Sequence, residues 1–364
     1  MHTYDMEAHR VKPYSKSVAL LGRVCARWYA VTRGSPTLWT VVDVAYPTRE
    51  ATSVLKLCLK HSAGLPLSLW ISNSLEPDAR AKGVDPHFIT LVAANASRWT
   101  EISIELRDEF FALQTLTTLP SGAFSSLRRA RIKFYGRKTQ ESNADTLLLK
   151  LFFTSPSLDC VDLTRTGYIE TGLAFAPLHQ LTSLGMHRAK PDMVPTVLRN
   201  CTNLELLYIR IEPFAFGRAE NVPLSIPFPS CLPRLRVLFL CGPIDWTPLW
   251  TSLTVPALDR LDISHTDIPH TQIERMLVRS SARMRMLAIN CPELGQTDGA
   301  LALIRSTPLR GLRILRYSIS HPGASMMGWE DTFDMRPFIP SQVVFAADAV
   351  QAERSYIKLC KGAL

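Results

Sequence analysis

No stretch of eighteen consecutive apolar residues occurs in this 364-residue chain, so it offers no segment that would cross a bilayer as a helix. The first residues, Met1-His2-Thr3-Tyr4-Asp5-Met6-Glu7, are too polar for a secretory signal. The eight cysteines, at positions 25, 58, 160, 201, 231, 241, 291 and 360, include no Cys-x-x-Cys pair and no close Cys/His grouping. That argues against a zinc site and for a reduced, intracellular protein, cytoplasmic or nuclear. Catalytic signatures are missing as well: there is no Gly-rich phosphate loop, no Gly-x-Ser-x-Gly elbow and no His-Glu-x-x-His pair. His265 and His270 flank Pro269 and suit a surface turn better than a metal site. Asp43, Asp162 and Asp262 recur one at a time near expected strand ends, as polar caps would, rather than as paired acid–base carboxylates. Neither catalysis nor a cofactor is expected.

What the chain does have is a recurring phrase: an apolar residue, any two residues, an apolar, any one residue, an apolar. Copies begin at Trp99, Leu127, Leu158, Leu181, Leu204, Leu235, Leu258, Met284 and Leu312, at intervals of 23 to 31 residues. With 46% of residues apolar, about a tenth of all windows would match by chance. The signal gains weight because turn-forming stretches introduce most copies, among them Ser155-Pro156-Ser157, Val255-Pro256-Ala257 and Ser306-Thr307-Pro308. Several intervals also carry a helix-like segment: Asp145 to Phe153, Asp192 to Leu198, and Thr271 to Arg279 with Ile273, Met276 and Leu277 at helical spacing.

A short strand followed by a return of this length suits parallel pairing, which needs a crossover of a dozen residues or more. In each copy the first, fourth and sixth residues would face inward, as with Leu204, Leu207 and Ile209. Their burial contributes roughly 5 to 8 kcal/mol per copy before chain entropy is subtracted. One copy cannot stand alone, whereas a stack can. The pattern extends backward through Trp39, Val42 and Val44 and through Leu67, Leu69 and Ile71, with helices expected over Glu50 to His61 and from an Asp85 cap and Pro86 onward. These residues resemble the leucine-rich repeat family in an irregular form. Copies lack the Asn that usually follows the third apolar position, although Asn290 comes directly after Ile289, earlier than the pattern places it.

The net charge is +9. The densest basic stretch, Arg128, Arg129, Arg131, Lys133, Arg137 and Lys138, puts Arg129, Arg131 and Lys133 on one strand face. Glu101 and Glu105 fall at matching positions on the preceding strand. An ion-paired face is therefore favoured over nucleic-acid binding, since no aromatic side chains are interleaved to stack on bases.

Toward the N-terminus, Leu20, Leu21, Val24, Cys25 and Trp28 recur at spacings of three and four and predict an amphipathic helix over Ser17 to Val31, stopped by Ser35-Pro36. Val24-Cys25-Ala26-Arg27-Trp28, then Ser35-Pro36-Thr37-Leu38-Trp39 and Val41-Val42-Asp43-Val44, resemble the latter half of an F-box, in particular that of the large basidiomycete fungal F-box families. The likeness runs from Val18 to Ile71 through Leu57-Cys58-Leu59 and Leu65-Pro66-Leu67. The family's opening Leu-Pro-x-Glu-Ile/Leu helix has no counterpart in Met1 to Lys16. The resemblance implies that Leu20, Val24, Cys25 and Trp28 are F-box core positions that help bind a Skp-type adaptor of a cullin ligase, and that Pro36, Leu38 and Trp39 form the closing turn. Residues 17–44 could instead simply cap the exposed end of the stack.

On the face opposite the inward residues, most copies carry small or polar side chains, such as Ser183, Gly185 and His187 or Arg260, Asp262 and Ser264. Leu206, Tyr208 and Arg210 beside Val237, Phe239 and Cys241, with Met286 further on, have the composition of a partner-binding hot spot. The proline-rich stretch Glu212 to Pro233, or the tail with Trp329, Phe333, Phe338 and Phe345, could fold over them instead.

The expected architecture is α/β. It has a partial F-box-like helical segment over 1–44, an irregular leucine-rich-repeat solenoid with helices on its outer face over 45–318, and a capping tail over 319–364. By resemblance, the function is substrate receptor of an SCF-type cullin ubiquitin ligase, holding a protein substrate on the repeat face. The alternative is a repeat scaffold that binds a protein partner but no ligase adaptor.

Overall fold

A computed structural model describes residues 18, 20–44, 46–71, 84–106, 115–134, 144–164, 176–187, 189–211, 224–226, 229–264, 268–291, 297–309 and 311–319. The chain divides into two units, Met1–Leu181 and Thr182–Leu364.

In the first unit the strands β1 (Val41–Val44), β2 (Leu67–Ile71), β3 (Trp99–Leu106), β4 (Arg129–Phe134) and β5 (Cys160–Thr164) lie side by side in chain order, all parallel. The expected boundary after residue 44 is not a break in pairing, because Val42 stands opposite Leu69 and Val44 opposite Ile71. Helices α1 (Ala26–Gly34), α2 (Arg49–His61), α3 (Pro86–Ala94) and α4 (Ala144–Phe153) fill the returns. The row Val42, Leu69, Ile102, Ala130 and Val161 is buried against Leu55 and Cys58 of α2, Phe88, Ile89 and Val92 of α3, and Leu148 and Phe152 of α4. Burial pushes the Cys58 thiol up to about 12, so it behaves as a small apolar side chain.

The second unit repeats the plan. Strands β6 (Ser183–His187), β7 (Leu206–Arg210), β9 (Val237–Cys241), β11 (Arg260–Ser264), β12 (Met286–Cys291) and β13 (Ile314–Ile319) are again parallel and in chain order. Helices α5 (Met193–Asn200), α6 (Thr247–Ser252), α7 (His270–Ser280) and α8 (Thr297–Ile304) return the chain. The phrase residues behave as expected: Leu181, Leu184 and Met186, Leu204, Leu207 and Ile209, Leu235, Leu238 and Leu240, and Leu258, Leu261 and Ile263 are all buried. The strands begin two residues after the phrase does, so its first residue closes the turn from below. A short parallel pair, β8 (Ser230–Cys231) with β10 (Leu253–Thr254), packs against α5 and α7 and was not anticipated, and neither were α6 and α8. Each has few residues and no full apolar period to betray it.

Side chains at the turns tie successive copies together. Arg98 donates to the Leu65 carbonyl at 2.9 Å and to Ser62 Oγ at 2.7 Å, Ser155 Oγ donates to the Leu127 carbonyl at 2.7 Å, and Gln180 donates to the Ser155 and Leu158 carbonyls. In the second unit Arg279 spans the Trp250 and Leu253 carbonyls, and the Val255 amide donates to Ser280 Oγ at 2.9 Å. These bonds satisfy carbonyls and amides that helix ends and turns would otherwise leave without partners.

The α3 cap follows the sequence expectation: Asp85 accepts from the His87 amide at 3.1 Å, and Pro86 occupies the first turn, where no amide donor is needed. Thr52 Oγ1 on α2 also donates to Asp85 at 2.5 Å, and this bond holds the carboxyl below its ordinary pKa. A folded-state pKa below the unfolded one means the contribution is present above the unfolded value and is lost as pH falls through the folded value. Asp85→Ala should therefore cost about 1 kcal/mol at neutral pH. In urea titrations the gap to wild type should close as the pH drops below the ordinary carboxylate range.

Candidate interaction surfaces

The strand register defines three side-chain rows on the open face of the second unit. The first contains Ser183, Leu206, Val237, Arg260 and Met286; the second Gly185, Tyr208, Phe239, Asp262 and Ala288; the third His187, Arg210, Cys241, Ser264 and Asn290. The expected cluster is thus brought together. It is not open, however: Tyr208, Arg210, Phe239, Cys241 and Met286 are buried, and Leu206 and Val237 are half-buried. Tyr208 and Phe239 stack at 4.3 Å between centroids with an 11° tilt, and the His187 ring lies 4.3 Å from Tyr208 on its other side. Parallel strands about 4.8 Å apart bring equivalent rings to stacking distance, so the aromatics satisfy one another rather than presenting a face to a partner. The alternative of coverage by the chain itself fits this burial. Most of its candidate covers, residues 212–223, 227–228 and the tail beyond 319, lie outside the described residues.

Next to the stack, Asp262 is buried and held by Arg260 two residues before it. Arg260 Nε donates to Oδ1 at 3.0 Å and Nη2 to Oδ2 at 2.5 Å. Burial pulls the Arg260 pKa down, but the hydrogen bond and charge of Asp262 outweigh it and leave the group above its ordinary value. In the first unit Asp162 is likewise buried and accepts from Arg131 Nε at 2.8 Å, while Arg128 pairs with Asp159 at 3.1 Å. This corrects two expectations. Asp162 and Asp262 are ion-pair partners within the sheet face, not polar caps. The arginine stretch pairs with the following strand, although Glu101 and Arg129 do stand directly opposite, as do Glu105 and Lys133 in backbone register. Asn290 also belongs to the sheet face, donating to Ser264 Oγ at 3.3 Å.

The N-terminal residues depart further from expectation. The helix breaks in the turn Gly22–Val24, Cys25 is extended, and α1 starts anew at Ala26. Gly22 and the turn it favours interrupt the period that the apolar spacing suggested. Leu20, Val24 and Trp28 are therefore no packed core: they are 59%, 66% and 46% exposed, with Tyr29, Val31 and Cys25 exposed beside them. Pro36–Trp39 forms a 3-10 turn, with Pro36 and Leu38 half-buried. Trp39 is buried, with its indole N–H donating to the Thr32 carbonyl at 2.7 Å and its ring 4.9 Å from that of His61.

A third surface was not read from the sequence. The residue just before each of β7, β9, β11, β12 and β13 runs in register along the sheet edge as Glu205, Arg236, Asp259, Arg285 and Arg313. The amide of each of the last four donates to the carbonyl of the one before it at 2.8 to 2.9 Å. A groove of about 740 Å³ opens there, lined by Arg236, Asp259, Arg283, Arg285 and Arg313 with Pro256, Leu258 and Met284 among its apolar residues. The signal in the sequence is the second position of each phrase, which means little until the strands are aligned.

Among the described residues no cluster of His, Cys, Asp and Glu could hold a metal, and no helix is long and apolar enough to cross a membrane. His270 opens α7 at the surface, and His265 lies outside the described residues. No protein-family model and no curated protein matches the chain.

Phe239→Ala should cost about 3 kcal/mol through the lost stack and the space left behind. Thermal melts should show a clear drop, whereas a melting temperature equal to wild type would mean the ring is not part of the folded interior. Arg260→Ala leaves a buried carboxylate without its cation. Its cost is about 2 kcal/mol, less than for a fully buried pair because Arg260 keeps 24% of its side chain in water. Adding Asp262→Ala should recover part of that loss, a coupling that chemical denaturation of the double variant measures.

Proposed function

We propose that the chain is the substrate-receptor subunit of an SCF-type cullin ubiquitin ligase, an F-box protein with leucine-rich repeats and no chemistry of its own. The observation that carries this reading is the exposed apolar strip Leu20, Val24, Trp28, Tyr29 and Val31. It stands directly ahead of a turn rooted by Trp39 and of the first strand of a parallel α/β sheet. A run of large apolar side chains left in water, in a chain that buries most of its described leucines, is the mark of a docking segment. Val24, Trp28 and Trp39 are also positions at which the sequence resembles an F-box. A Skp-type adaptor is the partner this reading requires, inside the cell, and the repeats then hold a protein substrate.

The competing reading is a leucine-rich-repeat scaffold that binds a protein partner without an adaptor. It is favoured by the break in the helix at Gly22–Val24, which leaves Leu20, Val24 and Trp28 without a packed core. Titrating the chain against a purified Skp-type adaptor separates the two. The receptor reading expects saturable one-to-one binding, weakened about tenfold or more by Trp28→Ala or Val24→Asp, with the melting temperature unchanged because both side chains are exposed. Absence of binding would leave the scaffold.

A further inference from the structure

We propose that the arginine groove on the strand-start edge of the second unit binds an acidic peptide segment of a protein partner. This goes beyond the receptor reading and stands whether or not an adaptor docks at the N-terminus. Four arginines, Arg236, Arg283, Arg285 and Arg313, line the groove against a single carboxylate, Asp259. Arg285 Nε lies 3.2 Å from Asp259, so that pair neutralises itself and keeps Arg285 in place. Arg236, Arg283 and Arg313 then supply the excess charge, and all three are exposed. Glu205 stands one step before Arg236 on the edge ladder, which makes the Arg283–Arg313 end the more cationic.

Spacing and chemistry select the ligand. Arg236 and Arg313 stand three ladder steps apart, so at about 4.8 Å per strand they span roughly 14 Å. An extended peptide carries side chains on one face about every 6.7 Å, so carboxylates at alternate positions of a five-residue segment cover the same span. Guanidinium forks match carboxylates bidentately, which a lysine edge would not do. The apolar lining, Pro256, Ala257, Leu258, Ala282, Met284 and Pro308, offers contact to small aliphatic side chains. It contains no aromatic ring on which a nucleic-acid base could stack, which disfavours a single-stranded nucleic acid as occupant. The Ala282 amide donates to the Leu277 carbonyl and the Ser281 amide to that of Val278, so two of the carbonyls at the end of α7 are already satisfied.

Fluorescence anisotropy of the full chain with a dye-labelled peptide alternating Glu with Ala or Leu tests this, with oligouridylate of equal charge as the comparison. Saturable peptide binding is expected, weakened about tenfold in Arg283→Ala/Arg313→Ala and unchanged in Arg275→Ala, which removes an exposed arginine from α7 away from the groove. Raising salt from about 50 to about 200 mM should weaken it several-fold. Equal melting temperatures for all three proteins would attribute the loss to the groove. No peptide binding, equal binding by the double variant, or tighter binding of the oligouridylate would each overturn the proposal.

Discussion

Along the second unit, the amide of the residue ahead of a strand donates to the carbonyl of the residue ahead of the strand before it, as Arg236 does to Glu205 and Arg285 to Asp259. This bond sets the register, and in a period-two strand register decides everything about facing. A slip of one residue would turn Leu207, Leu238 and Leu261 out of the helix layer and bring Tyr208, Phe239 and Asp262 into it. The leucines oppose that slip on one side of the sheet. On the other, the Tyr208–Phe239 ring stack opposes it too, because it needs the two neighbouring strands at equal height.

The turn ties serve the same end by different chemistry. Arg98, Gln180 and Arg279 each reach back to carbonyls of the preceding copy, and Ser155 and Ser280 bind the preceding turn at close range. A parallel sheet needs a long return between strands, and a long return is where disorder would enter. Pinning a return at its last turn fixes where the next strand begins. It also explains how copies can differ by up to eight residues in length without loss of strand order.

The strands and the larger helices were legible because both rest on apolar period alone. Leu204, Leu207 and Ile209 announce an inward face in any context, and Asp85-Pro86 announces a helix start. The N-terminal helix misled because Leu20, Val24 and Trp28 keep helical spacing across Gly22, and spacing does not reveal a break. The aromatic cluster misled for a different reason: Tyr208, Phe239 and an arginine are the composition of an exposed hot spot and equally of a buried stack. Only the burial of neighbouring rows distinguishes them. Arg131 becomes a partner of Asp162 only once the strands are in register, whereas Arg260 is adjacent to Asp262 on one strand face and the pair shows once that strand is assigned.

The same argument explains why the edge arginines escaped notice. Arg236, Arg285 and Arg313 lie 49 and 28 residues apart in the chain, with nothing local to connect them. In a stack of parallel strands, though, a residue type placed at one phrase position in several copies becomes a contiguous surface, with a spacing set by the backbone rather than by side-chain packing. The edge is free to vary, since these side chains point away from the core and leave the ladder bonds to the main chain. Charge can therefore be gathered there at little cost to stability, whereas on the open face Asp262 must be compensated by an arginine of its own. That difference makes the edge the place on this unit where specificity for a charged partner can accumulate.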